Sequence, residues 1–137
     1  MTMVPQYDSI AFGEAALKLR SYRQELIASN LVNADTPGYK AKDIAFGDVL
    51  RQQMAGVSKQ AGLPLAVTNN KHLSVSGSFD PSIQYRQAIQ PALDGNTVDP
   101  DVERTEFAKN SFMTEATLNF LSSTIRTRLS AITGQSS

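Results

Sequence analysis

The chain reads as a mainly α protein. Two long helices, one at each end, pair antiparallel as a coiled-coil-like domain, and a mostly extended middle segment carries short β strands. Three observations predict this. Apolar residues recur at helical spacing near both ends of the chain. Pro and Gly concentrate between those stretches, which punctuates the middle. Strong stop and start signals, Asn30 to Tyr39 and Asp94 to Pro100, bound the two helical zones on their inner sides. The organisation that follows is 1–39 and 98–137 for the terminal helices and 40–97 for the insertion.

The first helix is expected from about Ser9 to Ala34. Phe12, Ala15, Leu19, Tyr22 and Leu26 are spaced 3, 4, 3, 4 and mark its seam. Such a helix spans roughly 39 Å at ~1.5 Å per residue. Ala11, Ala15, Ala16, Ala28 and Ala34 permit close approach by a partner helix. At its end, Asn30, Asn33 and Asp35 offer the backbone side-chain partners that compete with helix. Pro37 restrains Thr36 from helical geometry. Thr36-Pro37-Gly38-Tyr39 then fits a type II turn, with Pro at the second position and Gly at the third.

In the middle, Asp43 to Met54 suits one short helix. Leu73-Ser74-Val75 and Ile83-Gln84-Tyr85 alternate as brief strands do, and a mobile loop is expected between Ala55 and Leu63. The C-terminal helix is expected from about Pro100 to Thr133. Asp99 caps it, Pro100 suits its first turn, Asp101, Glu103 and Glu106 complement its positive end, and Gly134 stops it. Leu118, Leu121, Ile125 and Ile132 form its seam, extended by Ser111 and Thr114. Phe107, Phe112, Phe120 and Leu129 lie off that seam, so apolar groups occupy more than one face.

Composition excludes several classes of function. Thirteen basic residues balance thirteen acidic ones, so there is no global pull toward nucleic acid or an anionic membrane. Cys is absent, which removes disulfides and thiol chemistry. No apolar run approaches the ~18 residues of a membrane span. Asp8 and Glu14 interrupt the start, which does not resemble a secretory signal. His72, the sole histidine, has no Cys for a zinc site and no nucleophile motif nearby, so a hydrolase built on it lacks partners. Asp99, Asp101 and Glu103 lack the glycine and terminal glutamate of a calcium loop. Lys18, Arg20 and Arg23 form a modest basic cluster balanced by Glu14 and Glu25. Neither a catalytic residue nor a cofactor or metal is expected. With no Trp and 7% aromatic residues, the chain is expected to bury much of its surface between subunits.

Two runs carry a resemblance. Ala28 to Tyr39, reading ASNLVNADTPGY, is similar to the N-terminal signature of bacterial flagellar rod and hook proteins. Asp94 to Asp99, reading DGNTVD, together with the short length, resembles the proximal rod members. Arg23-Gln24 and Lys40 to Phe46 also look like the family, whereas 56–65, Pro100 and the Ser- and Thr-rich final helix depart from it. The resemblance implies a structural subunit of the proximal rod in the flagellar basal body. It implies polymerisation into the axial drive shaft, with the terminal helices forming the inner tube around the export channel. Implied partners are copies of the chain, other rod subunits, the ring and export gate at the rod base, an adaptor of the FliE type, and the rod cap during assembly. Nucleic acid and membrane insertion are not implied. Export through the flagellar type III system to the periplasmic rod, without a cleaved signal, is.

The residues expected to serve assembly are Leu19, Tyr22, Leu26, Asn30, Asn33, Leu118, Leu121, Ile125 and Ile132. Pro37, Gly38 and Tyr39 are the structural turn. Phe46 and Leu50 match a Phe-then-aliphatic element of export recognition. The alternative is a soluble helical adaptor or chaperone of a secretion system, which gives no reason for the two motif runs.

Overall fold

The computed structural model describes residues 8–60, 81–88 and 92–134. The elements run α1 (Ser9–Val32), β1 (Lys42–Ile44), α2 (Phe46–Gln60), β2 (Ile83–Tyr85) and α3 (Pro100–Thr133). Leu73 to Val75, His72 and the apolar run Leu63 to Val67 lie outside the described residues.

Asp8 starts α1 by accepting a hydrogen bond from the Ile10 amide. The helix stops two residues short of the expected Ala34. The Asn33 amide splits its bond between the Ser29 and Asn30 carbonyls, and the Asn33 side chain takes the Ser29 carbonyl too. Those bonds exhaust the last turn. The turn follows as expected: Tyr39 N–H donates to Thr36 O at 3.3 Å, and Gly38 has φ 72°, a conformation open chiefly to glycine.

The middle differs from expectation in two places. Residues 42–44 form a strand and not the start of a helix, because β1 pairs antiparallel with β2 in the register Lys42–Tyr85, Asp43–Gln84 and Ile44–Ile83. α2 therefore begins at Phe46. It continues to Gln60, so the expected loop between Ala55 and Leu63 is helical as far as Gln60.

α3 starts and stops as expected, capped by Asp99 and ended by left-handed Gly134. At ~1.5 Å per residue it is about 51 Å long. It lies antiparallel to α1, and Arg128 near its end meets Asp8 at 2.6 Å. The two helices pack tightly at Gly13 and Leu121: a Cβ on Gly13 would stand 2.9 Å from Leu121 Cδ1.

α1 is used on two sides. Leu19 and Leu26 are buried with Ile44 and Val49 of the middle segment, and Tyr22, Phe46 and Leu50 pack around them. Burying each such aliphatic side chain contributes about 2 kcal/mol. Toward α3 the helix presents Gly13, Ala16, Arg20, Arg23, Ile27 and Asn30, spaced 3, 4, 3, 4, 3.

Candidate functional site

The inward stripe of α3 is polar. Its buried residues are Glu103 and Asn110, each 1% exposed. Thr114, Thr117, Leu121 and Thr124 continue that stripe half-buried. Leu121 aside, the large apolar side chains of α3 from Phe112 onward are exposed: Phe112 is 70% exposed, Leu118 51%, Ile125 48% and Ile132 82%. The seam expected from spacing therefore divides. Leu121 faces α1 at Gly13, whereas Leu118, Ile125 and Ile132 lie on the outside. The first-helix seam is also redirected, since Leu19, Tyr22 and Leu26 meet the middle segment and not α3. Leu19 and Leu26 are buried in the chain's own core, at 0% and 8% exposure.

Where α1 ends, three segments are locked together by charged and amide side chains. The Asn30 side chain is fully buried and acts on β1 as a neighbouring strand does. Its Nδ2 donates to Lys42 O at 2.8 Å, and its Oδ1 accepts from Lys42 N at 2.9 Å. The same Nδ2 donates to Glu103 Oε2, and Tyr39 OH donates to Oδ1. Asp43 is gripped by two guanidinium groups. Arg23 forks both its oxygens at 2.8 and 2.9 Å, and Arg86 reaches Oδ2 at 2.6 Å. Arg86 also binds Glu103 at 2.6 Å, and Arg23 binds Glu106 at 3.0 Å. α1, β1, the strand-following Arg86 and α3 are thus joined through one network.

The two acids at its centre respond in opposite directions. Burial opposes ionisation of Asp43, but bonds from Arg23 and Arg86 outweigh it and hold the carboxyl at about 2. Burial pushes the Glu103 carboxyl up, and the bond from Asn30 only partly opposes it. Glu103 is therefore more than the helix-end acid that its position suggests.

A second lock joins the two motif runs. The Asn96 side chain is buried, and its Nδ2 lies 2.8–3.1 Å from the carbonyls of Asn33, Ala34 and Thr36. Asn96 Oδ1 accepts from Val98 N. Gly38 N–H donates to Asp94 O, Thr97 N–H to Tyr39 O, and Ala41 N–H to Thr97 Oγ1. The run after α1 and the run before α3 are one structural unit, in which Asn96 satisfies carbonyls that the helix end leaves open. Asn33 is half-buried in this unit, Pro37 and Gly38 lie exposed at its tip, and Tyr39 turns inward to Asn30.

Sequence reasoning missed Asp43, Arg86, Asn96 and Glu103 as members of the two locks, and missed Asn110, whose Nδ2 donates to Arg20 O and Gln24 Oε1 farther along the α1–α3 contact. One signal was available: Glu103, Asn110, Thr117 and Thr124 recur every seven residues, a polar stripe at coiled-coil spacing.

An apolar groove runs beside the α1–α3 pair. One cavity of about 310 Å³ is lined by Phe12, Ala16, Arg20, Phe46, Met113 and Phe120, among others. A second of about 250 Å³ adjoins it at Phe12 and Leu50 and extends along α2 to Met54. Phe46 and Leu50 are half-buried between this groove and the core, with the Arg20 guanidinium 4.4 Å from the Phe46 ring. Among the described residues, no group of three His, Cys, Asp or Glu side chains is placed to hold a metal. No helix among them is long and apolar enough to cross a membrane.

A family model described as flagella basal body rod protein matches residues 10–40, which cover α1 and the turn. Similar proteins extend the match over nearly the whole chain. The flagellar basal body rod protein FlgB of Salmonella typhimurium is 40% identical over 129 residues, covering 92% of this chain and 94% of that protein. FlgB of Escherichia coli K12 is 43% identical over 121 residues, covering 86% and 88%. FlgB of Aeromonas hydrophila is 42% identical over 128 residues, covering 91% and 94%.

Proposed function

The chain belongs to the FlgB family of flagellar basal body rod proteins, and we propose on that footing that it is a structural subunit of the proximal rod, polymerising into the axial shaft that transmits torque and encloses the export channel. The observation that carries this reading is the inverted polarity of α3. Its stripe against α1 is polar, while Leu118, Ile125, Leu129 and Ile132 are exposed along the other side. An isolated globule gains nothing from that arrangement, because exposed apolar area costs about 25 cal/mol per Å² relative to burial. Packing among subunits covers it.

In this reading the polar joint around Asn30 and Asn96 is the rigid element. It sets the angle at which the chain leaves α1 and re-enters α3, so each subunit presents its outer faces in one geometry. Torque then passes through many interlocked contacts. The terminal helices form the inner tube, and the middle segment lies outside it and adds lateral contacts. Partners are further copies, other rod subunits, the ring, export gate and FliE-type adaptor at the base, and the rod cap. The subunit reaches the periplasmic rod through the type III pathway without a cleaved signal, and it catalyses no reaction. Nothing in the fold favours the adaptor or chaperone alternative.

Electron microscopy of basal bodies from a strain lacking the gene tests the reading. Rings without a rod, restored by the intact gene, support it; complete rods overturn it. Asn33→Ala tests the turn unit and is expected to impair rod assembly while leaving export intact. Phe46→Ala tests export recognition. Phe46 and Leu50 are half-buried in the folded chain, so recognition acts on the unfolded subunit, and secretion falls while the cellular level holds.

A further inference from the structure

Arg20 is a cation in an apolar setting. Its guanidinium lies over the Phe46 ring, and its Nε is buried without a hydrogen-bond acceptor among the described residues. No carboxylate among them pairs with it, in contrast to Arg23 one turn on, which holds two. An unpaired buried N–H costs about 1–3 kcal/mol. The groove around it therefore asks for an occupant that is apolar and carries one acid.

α3 carries a surface of that description. Glu115, Leu118, Ser122, Ile125, Leu129 and Ile132 are all exposed and recur at alternating spacings of 3 and 4, which places them in one stripe. Glu115 is its sole acid, and its exposed carboxylate meets no cation or hydrogen-bond donor among the described residues. The residues by which α3 lines the groove, Met113, Ala116, Thr117 and Phe120, lie on the opposite side of the helix. Groove and stripe are therefore two different faces of the subunit, both largely apolar and carrying opposite charges.

We propose that the groove between α1, α2 and α3 receives the outer stripe of α3 from a second copy of this chain, with the incoming Glu115 carboxylate meeting Arg20. The inference rests on the rod-subunit reading. A contact between two different faces is head-to-tail, and its repetition generates a ring or a helical array and not a closed pair. Gly13, Ala16 and Ala116 supply the shallow floor that a packed helix requires.

The chain contains no cysteine, so introduced thiols report contacts directly. A Cβ at Gly47, on the groove rim, meets no atom within 4 Å, and Gly47→Cys leaves the fold undisturbed. Basal bodies are isolated from cells expressing Gly47→Cys together with Phe112→Cys or Leu118→Cys, which flank Glu115, and are then oxidised. A disulfide between copies is expected with one of the two. Adding Glu115→Arg to the stripe-bearing chain is expected to lower its yield about tenfold, and Arg20→Glu on the groove-bearing chain to restore it. Rods that assemble without either cross-link overturn the contact while leaving the rod reading intact. A cross-link from Gly47→Cys to a different protein, or one indifferent to Glu115→Arg, also overturns it. Glu115 is exposed, so its reversal tests the pairing even if Arg20→Glu alone fails to fold.

Discussion

α1 makes two contacts of different chemistry. On one side Leu19 and Leu26 meet Ile44 and Val49 in a small apolar core. On the other, Arg23 and Asn30 meet Glu106 and Glu103 of α3. Apolar contact gives stability that tolerates small shifts, since any close-packed arrangement serves. Directional bonds to buried charges give little net stability but penalise every arrangement except one. The difference teaches that the subunit separates the two tasks. The middle segment holds α1 in place, and the joint to α3 fixes its geometry.

The sharpest break in that comparison comes from truncating the apolar side. Leu19→Ala is expected to cost about 4 kcal/mol, measured by urea unfolding of the full chain followed by far-UV circular dichroism. Asn30→Ala attacks the polar side and removes the side-chain partner of Lys42 N–H, Lys42 C=O and Glu103 Oε2. A cost of about 3 kcal/mol is expected in the same measurement. A loss below 1 kcal/mol would show that the joint is not the constraint described.

Acid separates the two contacts without mutation. Asp43 sits at about 2 in the fold against an ordinary 3.8, so the unfolded chain takes up this proton first as pH falls. Its contribution, about 2 kcal/mol, is present above pH ~4 and is lost between there and pH ~2. Glu103 has the opposite sign. Its raised value means that its contribution is full below the ordinary 4.5 and declines as pH rises through the folded value. Asp43→Asn is expected to flatten the acid limb of a stability-against-pH curve, whereas Leu19→Ala shifts the whole curve down.

The smallest effect on the monomer is expected outside both contacts. Leu118→Ser and Ile125→Ser should change unfolding free energy by less than about 0.5 kcal/mol. Rod assembly in cells carrying either variant should nevertheless fall. Equal loss of stability would place these residues in an internal core.

The fold was largely legible in the sequence, and the partition of its faces was not. Helix α3 was readable to the residue, because the Asp99 carboxylate, the Pro100 ring and the left-handed Gly134 act on backbone within two or three residues of themselves. The same holds for the Thr36 to Tyr39 turn. β1 was not readable, since three residues carry too little pattern and the strand exists only through its pairing with β2 and the Asn30 side chain. What each seam faces was not readable for a related reason. Spacing identifies which residues share a stripe, but not what the stripe faces: Leu19, Tyr22 and Leu26 form a stripe that meets the insertion, and Leu118, Ile125 and Ile132 one that meets solvent.

By itself, then, the sequence determined the two helices, the turn between α1 and the insertion, and the two motif runs, all of which depend on local backbone chemistry. Only the tertiary structure decided that those runs form one unit through Asn96. It alone joined Arg23, Asp43, Arg86 and Glu103 and turned the apolar side of α3 outward. Such facts depend on contacts between residues tens of positions apart, where a charge or an amide reads the same in sequence whether it meets water or a partner.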